Sequence, residues 1–247
     1  MSPARLIIDE PQEGAWNMAV DEALLESAAA GRPTLRFYQW REPTLSLGYF
    51  QSADERTRHA ASSNCPLVRR STGGGAIIHD RELTYSLALP LLRGRGENPE
   101  SLYHAFHETL IEGLAEHNVR ASLFSGESLL EFVASEPFLC FQRRAAGDVL
   151  VEGKKICGSA QRRWRNALLQ HGSVLLAQSD CAPELPGVFE LGGVPLSAAD
   201  LAQIWLTRLE SRLGFRFQID CLTKAESQGA QRQKEEKFGH AGWNLRR

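Results

Sequence analysis

Apolar side chains recur with helical spacing in three stretches of the chain, residues 16–30, 99–118 and 197–213. Polar residues occupy the positions between them, and this pattern predicts amphipathic helices. In the first stretch the apolar positions are Met18, Val20, Ala23, Leu24 and Ala28. The stretch 223–239 is instead rich in Lys, Glu and Gln, which is compatible with either a helix or disorder.

Short apolar or alternating runs bounded by glycine and proline predict strands. These runs are residues 34–40, 45–50, 66–70, 75–79, 83–89, 149–151, 155–163 and 167–176. A sheet is therefore expected to dominate the first third of the chain, and residues 128–141 are typical of a loop. The chain shows neither an internal repeat nor a linker, so we expect one domain over residues 1–247, with a polar C-terminal tail at residues 222–247.

The composition is ordinary for a soluble globular protein, with 43% hydrophobic residues, 23% charged residues and a net charge of −2. No apolar run approaches the roughly 20 residues of a membrane span. Acidic residues and Pro11 interrupt the N-terminal apolar stretch, so no secretory segment is expected and the prediction is a cytoplasmic protein without a membrane partner. Five cysteines without a C-x-x-C pair favour free thiols over disulfides or a zinc site.

The net charge gives no general attraction to nucleic acid, and no nucleic-acid partner is expected. Basic residues nevertheless cluster at residues 69–70, 143–144 and 162–165. Such clusters are either solvated faces or docking sites for an acidic partner.

Three consecutive glycines, Gly73, Gly74 and Gly75, stand between two strand-like runs. Residues without a Cβ reach positive φ and let backbone N–H groups approach a ligand closely, whereas a plain hairpin needs only one or two glycines. A loose turn is the alternative, because the Lys-Ser/Thr of a P-loop is missing. A second segment, residues 152–176, predicts two strands with glycines beside polar residues. Two such segments suggest one shared ligand site.

Together the segments R-R-S-T-G-G-G-A-I-I-H-D (residues 69–80) and G-K-K-I-C-G-S-A-Q-R-R with a later H-G (residues 153–172) resemble the lipoate-protein ligase, biotin ligase and octanoyltransferase superfamily. The resemblance covers roughly residues 15–176, with a weaker echo at Trp243 and Asn244. It implies the catalytic-domain fold of that superfamily. This is an α/β (α+β) architecture with a mixed, largely antiparallel sheet flanked by helices.

Two residues are the candidates for catalysis, Cys140 and Lys155. Without the resemblance, Lys155 could be a surface lysine beside a turn; the resemblance implies that it contacts the acyl carbonyl. Cys140 lies in a Cys-Phe segment where octanoyltransferases of this superfamily carry their nucleophile. Free cysteines are usually buried and inert, but a nearby ammonium favours the thiolate that transfer through a thioester requires. Strand alternation makes Cys157 a rival, since it would share a face with Lys155 and Ser159; the family pattern suggests instead a small group of the pocket wall.

The remaining candidates belong to the two glycine motifs and would bind substrate or shape the pocket. They are Arg70, Thr72, Gly73, Gly74, Gly75, His79, Gly158, Ser159, Ala160, His171 and Gly172. Neither histidine has a second ligand at metal spacing, so we expect pocket-shaping hydrogen bonds and no metal. Arg70 and Asp80 are expected to hold the loop rather than react, and backbone N–H groups of both motifs are candidates to stabilise an oxyanion.

The function implied by the resemblance is octanoyl transfer without a cofactor. Cys140 would accept the acyl group from octanoyl-acyl carrier protein and pass it to the target lysine of a lipoyl domain, as in the glycine cleavage H protein or a 2-oxoacid dehydrogenase E2. A ligase of the superfamily uses ATP, needs no such cysteine and often has a separate C-terminal domain, whereas only a short, partly polar stretch follows the second motif here. The alternatives are an ATP-dependent lipoate-protein ligase, an octanoyl amidotransferase between lipoyl domains, and a non-catalytic binding module.

Overall fold

The computed structural model describes residues 1–91, 99–126 and 136–246, and these contain eleven strands and six α-helices. The strands are β1 (Ser2–Ile8), β2 (Thr34–Tyr38), β3 (Thr44–Leu47), β4 (Leu67–Arg69), β5 (Ile77–His79), β6 (Glu82–Pro90), β7 (Ala121–Leu123), β8 (Val149–Val151), β9 (Lys154–Trp164), β10 (Ala167–Leu175) and β11 (Phe215–Ile219). The helices are α1 (Gly14–Ala29), α2 (Pro99–Ala115), α3 (Val188–Gly192), α4 (Ala198–Leu213), α5 (Lys224–Gln233) and α6 (Ala241–Asn244). A π-helical turn, Lys234–Phe238, extends α5.

Eight of the strands form one mixed sheet in the order β11-β1-β2-β6-β10-β9-β8-β7. Strand β1 runs parallel to both β2 and β11, and all other neighbours in this sheet are antiparallel. The other three strands form a small sheet in the order β4-β3-β5. The predicted mixed, largely antiparallel sheet with flanking helices is therefore confirmed.

Helices cover both faces of the large sheet and give the molecule its layers. On one face α2 and α4 bury Phe106, Leu110, Trp205 and Leu209 against strand residues such as Leu87. On the other face α1 packs against the sheet, and α5 with its π-helical turn packs over α1. A third apolar cluster joins the small sheet to the segment around residue 140.

The ends of two helices follow directly from local sequence. Ser197 and Asp200 form a capping box at the start of α4, which ends at Gly214 in a left-handed conformation. Thr223 and Glu226 form the same box at the start of α5. The polar stretch 223–239 is thus helical, and disorder was the wrong alternative.

Several predictions about the N-terminal third need correction. Residues 17–25 of α1 are buried on every side because α5 covers the outer face, so the helix is not amphipathic. The predicted strands at residues 45–50, 66–70 and 75–79 do not join the large sheet but form the small one, in shortened form. Strands β1, β7 and β11 had no clear sequence signal. The predicted loop at residues 128–141 lies partly outside the described residues.

Candidate active site

The two glycine motifs meet at one pocket between the small sheet and strands β9 and β10 of the large sheet. Both predicted catalytic residues line it, together with most of the predicted substrate-binding residues. From the predicted set the lining residues are Cys140, Lys155, Arg70, Gly73, Gly74, His79, Gly158, Ser159, Ala160, His171 and Gly172. Thr72 and Gly75 are not among the lining residues. Met18, Ile77 and Phe141 add apolar surface that the sequence did not indicate.

Cys140 is held at the pocket by its backbone. Leu139 bridges to Ala76, the Cys140 amide donates to the Ala76 carbonyl at 2.7 Å, and the Ala76 amide donates to the Phe138 carbonyl at 3.2 Å. Phe138, Leu139 and Phe141 are buried against the small sheet. The thiol is thereby placed at the pocket while its neighbours are anchored in the core.

Gly75 explains how the cysteine segment approaches the glycine loop so closely. A Cβ at this position would lie 3.2 Å from both the nitrogen and the Cα of Cys140. A similar requirement fixes Gly48, where a Cβ would lie 1.9 Å from the Gly74 carbonyl oxygen. Gly74 itself adopts a φ of +95°, a conformation that favours glycine. The glycines of the first motif therefore permit close backbone packing around Cys140.

Lys155 extends from the start of β9 into the pocket and connects the thiol to a buried carboxylate. Its Nζ lies 3.8 Å from the Cys140 sulfur and 2.8 Å from Asp148 Oδ2. Asp148 also accepts hydrogen bonds from the Tyr103 hydroxyl at 2.9 Å and the Ala145 amide at 2.7 Å. Burial, and then the adjacent carboxylate, raise the pKa of Tyr103, so its hydroxyl keeps the proton that it donates. The lysine side chain is thus held in one position.

Asp148 was missed by the sequence analysis, because a single aspartate before a short strand carries no recognisable pattern. The structure shows that β8 follows it directly and pairs with the start of β9, which brings Asp148 beside Lys155. Both side chains are almost fully buried. A buried lysine needs such a partner, since an unpaired ammonium in the interior is costly.

Cys157 does not line the pocket. The prediction that its thiol could be a rival nucleophile was therefore wrong, and so was the prediction that it forms part of the pocket wall. Leu150 pairs with Lys155 while Val149 pairs with Cys157, which leaves Ile156 as an extra residue and breaks the alternation of β9. The Cys157 sulfur lies in the apolar core, and burial raises the pKa of its thiol.

Arg70 lines the pocket and supports the glycine loop. Its guanidinium donates to the Ser46 hydroxyl and carbonyl and to the carbonyls of Gly73 and Gly75. Burial lowers its pKa to about 10, which leaves the group protonated at neutral pH. The expectation that Arg70 holds the loop agrees with this geometry.

In both histidines, His79 and His171, each ring nitrogen makes a hydrogen bond to a neighbouring side chain. His79 Nδ1 bonds Glu82 at 2.6 Å, its Nε2 bonds Ser46 Oγ at 2.7 Å, and the ring stacks on Trp40 with centroids 3.9 Å apart. Burial lowers the pKa of His79.

His171 Nε2 bonds Thr72 Oγ1 at 2.7 Å and its Nδ1 bonds Asp21 Oδ2 at 3.2 Å. Thr72 thus acts on the pocket through His171. These contacts fit pocket-shaping roles.

Ser159 carries its hydroxyl away from the pocket into a buried hydrogen-bond chain. Its Oγ lies 2.6 Å from both the Tyr85 hydroxyl and His107 Nε2, and His107 Nδ1 lies 2.6 Å from the Gly147 carbonyl. Burial lowers the pKa of His107 to about 4, so the ring is neutral and its Nε2 accepts a hydrogen bond from the Ser159 hydroxyl. Gly172 makes room for this arrangement, since a Cβ there would lie 2.6 Å from Ser159 Oγ.

The glycine loop offers backbone donors to a ligand. In the described part of the chain, the amides of Gly73, Gly74 and Gly75 have no protein acceptor. Within residues 1–91, 99–126 and 136–246 there is no group of three or more His, Cys, Asp or Glu that could hold a metal ion, and no helix long and apolar enough to cross a membrane.

Comparison with known proteins identifies the family of the chain. Residues 13–182 match the family described as lipoyl protein ligase A/B catalytic domain. Octanoyltransferase LipM of Kyrpidia tusciae is 34% identical over the full length of both chains, and octanoyltransferase LipM of Oceanobacillus iheyensis is 41% identical over 68% of this chain and 62% of its own. A solved structure of a putative lipoate protein ligase from T. acidophilum superposes with a TM-score of 0.78 at 25% identity, covering 98% of this chain and 99% of that one. The chain therefore belongs to the lipoyl protein ligase A/B catalytic domain family, among its members of the octanoyltransferase LipM type.

Proposed function

We propose that this chain is an octanoyltransferase that accepts its acyl group from acyl carrier protein, holds it as a thioester on Cys140 and delivers it to the target lysine of a lipoyl domain. The observation that carries the proposal is the contact between the Lys155 ammonium and the Cys140 sulfur, 3.8 Å apart in the shared pocket. The similarity to octanoyltransferases of the LipM type indicates that the group transferred is octanoyl and that the reaction is a transfer. The carrier-protein donor and the roles of individual residues are our inference.

In the first half-reaction the Cys140 thiolate attacks the carbonyl carbon of the octanoyl thioester. A new carbon–sulfur bond forms to Cys140, the bond to the carrier thiol breaks, and the carrier leaves as a thiolate that takes a proton from solvent. The ammonium of Lys155 stabilises the attacking thiolate by its charge, and Asp148 keeps that ammonium in place. Burial of Lys155 and Asp148 lowers the effective dielectric constant around them and so strengthens these charge interactions.

The negative charge that develops on the carbonyl oxygen needs hydrogen-bond donors. The amides of Gly73 and Gly74, which line the pocket, and of Gly75, which packs against Cys140, are suited to this role because they have no acceptor within the described residues. The Lys155 ammonium is a further donor beside the sulfur. The backbone near Gly158 and Ser159 completes the wall opposite the glycine loop.

In the second half-reaction the uncharged amine of a lipoyl-domain lysine attacks the thioester on Cys140. The amide bond forms, the Cys140–acyl bond breaks, and the amine proton passes to the leaving thiolate or to solvent. The acyl chain stays in the pocket throughout, against the apolar surface of Met18, Ile77 and Phe141. No nucleotide enters either half-reaction.

Three other functions fit these residues less well. A ligase shares the fold, as the putative lipoate protein ligase from T. acidophilum illustrates, but an ATP-dependent ligase does not require the Cys140 thiol beside Lys155. An amidotransferase would use the same two residues and differ only in its donor. A non-catalytic binding module does not require a thiol held at the pocket beside an ammonium.

The test supplies a lipoyl domain with either octanoyl-acyl carrier protein alone or free octanoate plus ATP, and measures the mass of the domain. The proposal predicts octanoylation from the carrier protein without ATP and none from the free acid. Modification only with free acid and ATP would identify a ligase. Donation from an octanoylated lipoyl domain, with no donation from carrier protein, would identify an amidotransferase.

A further inference from the structure

A cluster of charged residues borders the pocket without taking part in the chemistry described above. Glu22 of α1 accepts hydrogen bonds from Arg162 of β9 and from the Ser71 hydroxyl at 2.9 Å, and its other oxygen lies 3.3 Å from Lys237 Nζ. Lys237 also donates to Ser71 at 3.1 Å. The aromatic ring of Trp243 lies 4.5 Å from the lysine nitrogen. We refer to Arg162 and Lys237 as the rim cations.

Three members of the cluster, Arg162, Ser71 and Glu22, lie a short distance along the chain from residues that line the pocket. Arg162 lies two residues beyond the lining residue Ala160 on the same face of β9, roughly 7 Å along the strand. Ser71 precedes the lining residue Gly73 by two residues. Glu22 lies one helical turn, about 6 Å, beyond the lining residue Met18.

The cluster carries more positive than negative charge. Among the described residues, Glu22 is the only carboxylate that either rim cation contacts, so two cations share one anion. Their side chains are 25% and 20% exposed, which leaves both groups open to an incoming ligand, whereas the Glu22 side chain is only 9% exposed. Burial lowers the pKa of Lys237, and repulsion from Arg162 and Arg246 acts in the same direction. A second anion would relieve this repulsion.

We propose that Arg162 and Lys237 form an anion site that receives the phosphodiester of the pantetheine arm on which the acyl donor arrives. This inference rests on the proposed function, because it needs a donor thioester carried on such an arm. The arm has its thioester at one end and its phosphodiester at the other. Gly158, beside the Lys155 ammonium, is four residues from Arg162, about 13 Å along β9, a separation that an extended arm spans.

The arrangement would orient the donor in one direction. The phosphodiester would contact the rim cations while the thioester lies beside Cys140, with the amides of the arm following the exposed edge of Gly158 and Ala160. Arginine and lysine are the side chains that recognise phosphate oxygens best, by charge-assisted hydrogen bonds. After acyl transfer the free arm would leave along the same route, opening the pocket to the acceptor lysine.

The experiment compares two small donors, octanoyl-phosphopantetheine and octanoyl-pantetheine, which differ only in the phosphate group. The readout is the second-order rate of Cys140 acylation, followed by intact mass. In the wild type we expect the phosphorylated donor to react on the order of tenfold faster, the size of a charge-assisted hydrogen bond at a partly exposed site. In Lys237→Met and, independently, in Arg162→Met, the ratio of the two rates should fall toward one.

Lys224→Met is the matched control, because Lys224 is an exposed lysine at the start of α5 and its loss should leave the ratio unchanged. A wild-type ratio of one, or a ratio that survives both substitutions, would overturn the inference. A wild-type ratio of one combined with slower acylation of Lys237→Met by octanoyl-acyl carrier protein would assign the site to a carboxylate of the carrier and overturn the phosphodiester assignment. Absence of a Cys140 adduct with both small donors, when octanoyl-acyl carrier protein does give one, would overturn this inference alone; absence with the carrier protein as well would overturn the proposed function.

Discussion

Gly158 and Lys155 are packed so closely that a side chain at residue 158 would displace the ammonium group. A Cβ there would lie 2.5 Å from Lys155 Cε and 2.7 Å from Nζ. Because that ammonium lies 3.8 Å from the Cys140 sulfur, we expect Gly158→Ala to slow acylation of Cys140 by about 100-fold. The measurement is the single-turnover rate of thioester formation from octanoyl-acyl carrier protein.

The control for this substitution is Gly229→Ala in α5, where a Cβ meets nothing closer than 3.8 Å. There the change should leave the rate unaltered and raise the free energy of unfolding by about 0.5–1 kcal/mol, since alanine is the better helix former. A Gly158→Ala protein that acylates at the wild-type rate would show that the position of Lys155 is not critical.

Asp148 is expected to act through Lys155. In Asp148→Asn the buried ammonium loses its ionic partner, so we predict a fall in kcat of at least tenfold with KM nearly unchanged, and a loss of about 3 kcal/mol in the free energy of unfolding. Asp148→Glu should recover part of kcat, which a merely structural role would not require. Steady-state kinetics and urea unfolding measure the two effects.

The matched change Asp80→Asn removes a carboxylate that accepts a hydrogen bond from the Ser179 hydroxyl and has no contact with Lys155 among the described residues. It should leave kcat within about twofold of the wild type. Wild-type kcat in a folded Asp148→Asn protein would contradict the positioning role.

Acid should destabilise the contact between α5 and β1. Burial by itself raises the pKa of Glu226, but hydrogen bonds from Arg5, Ser27 and Thr223 outweigh it and lower the pKa from 4.5 to about 2. A lowered pKa means that the unfolded chain binds the proton more tightly, so this contribution is present above pH 4.5 and is lost as the pH falls toward 2. Urea unfolding over this range should show a loss on the order of 2 kcal/mol that is absent in Glu226→Gln. Parallel pH curves for the two proteins would contradict the assignment.

Arg69 joins the C-terminal segment to the first glycine motif. Its buried guanidinium donates to the carbonyls of Gly48, Gln51, Asn244 and others. Lysine cannot reach these acceptors together, so Arg69→Lys should lower the free energy of unfolding by about 2–4 kcal/mol. Thermal or urea unfolding measures this loss. The control is Arg32→Lys at an exposed position, which should change the free energy of unfolding by less than about 0.5 kcal/mol. Equal stability of the two variants would show that the carbonyl contacts are dispensable.

The sequence indicated those parts of the site in which the backbone conformation requires a particular residue type at a particular spacing. Gly75 and Gly158 are required by close packing and Gly74 by its positive φ, and the pocket that they form contains both Cys140 and Lys155. Asp148 could not be found in this way, because its role depends on pairing between two strands rather than on a local pattern.

Other errors arose from contacts distant in sequence. The burial of α1 on every side is imposed by α5, about 200 residues later, and periodicity within α1 cannot reveal it. The edge of the large sheet likewise depends on pairing of β1 with β11. The orientation of Cys157 was mispredicted because a single extra residue in β9 reverses strand alternation.

The central claim is that Cys140 forms the thioester with the acyl group and that Lys155 activates its thiol. The most direct test is mass spectrometry of the protein after incubation with octanoyl-acyl carrier protein without ATP. The account predicts one octanoyl adduct that hydroxylamine removes, that maps to Cys140, that persists in Cys157→Ala and that is lost in Cys140→Ala and Lys155→Ala. An adduct that persists in Cys140→Ala, or octanoyl transfer to a lipoyl domain by that variant at the wild-type rate, would contradict it.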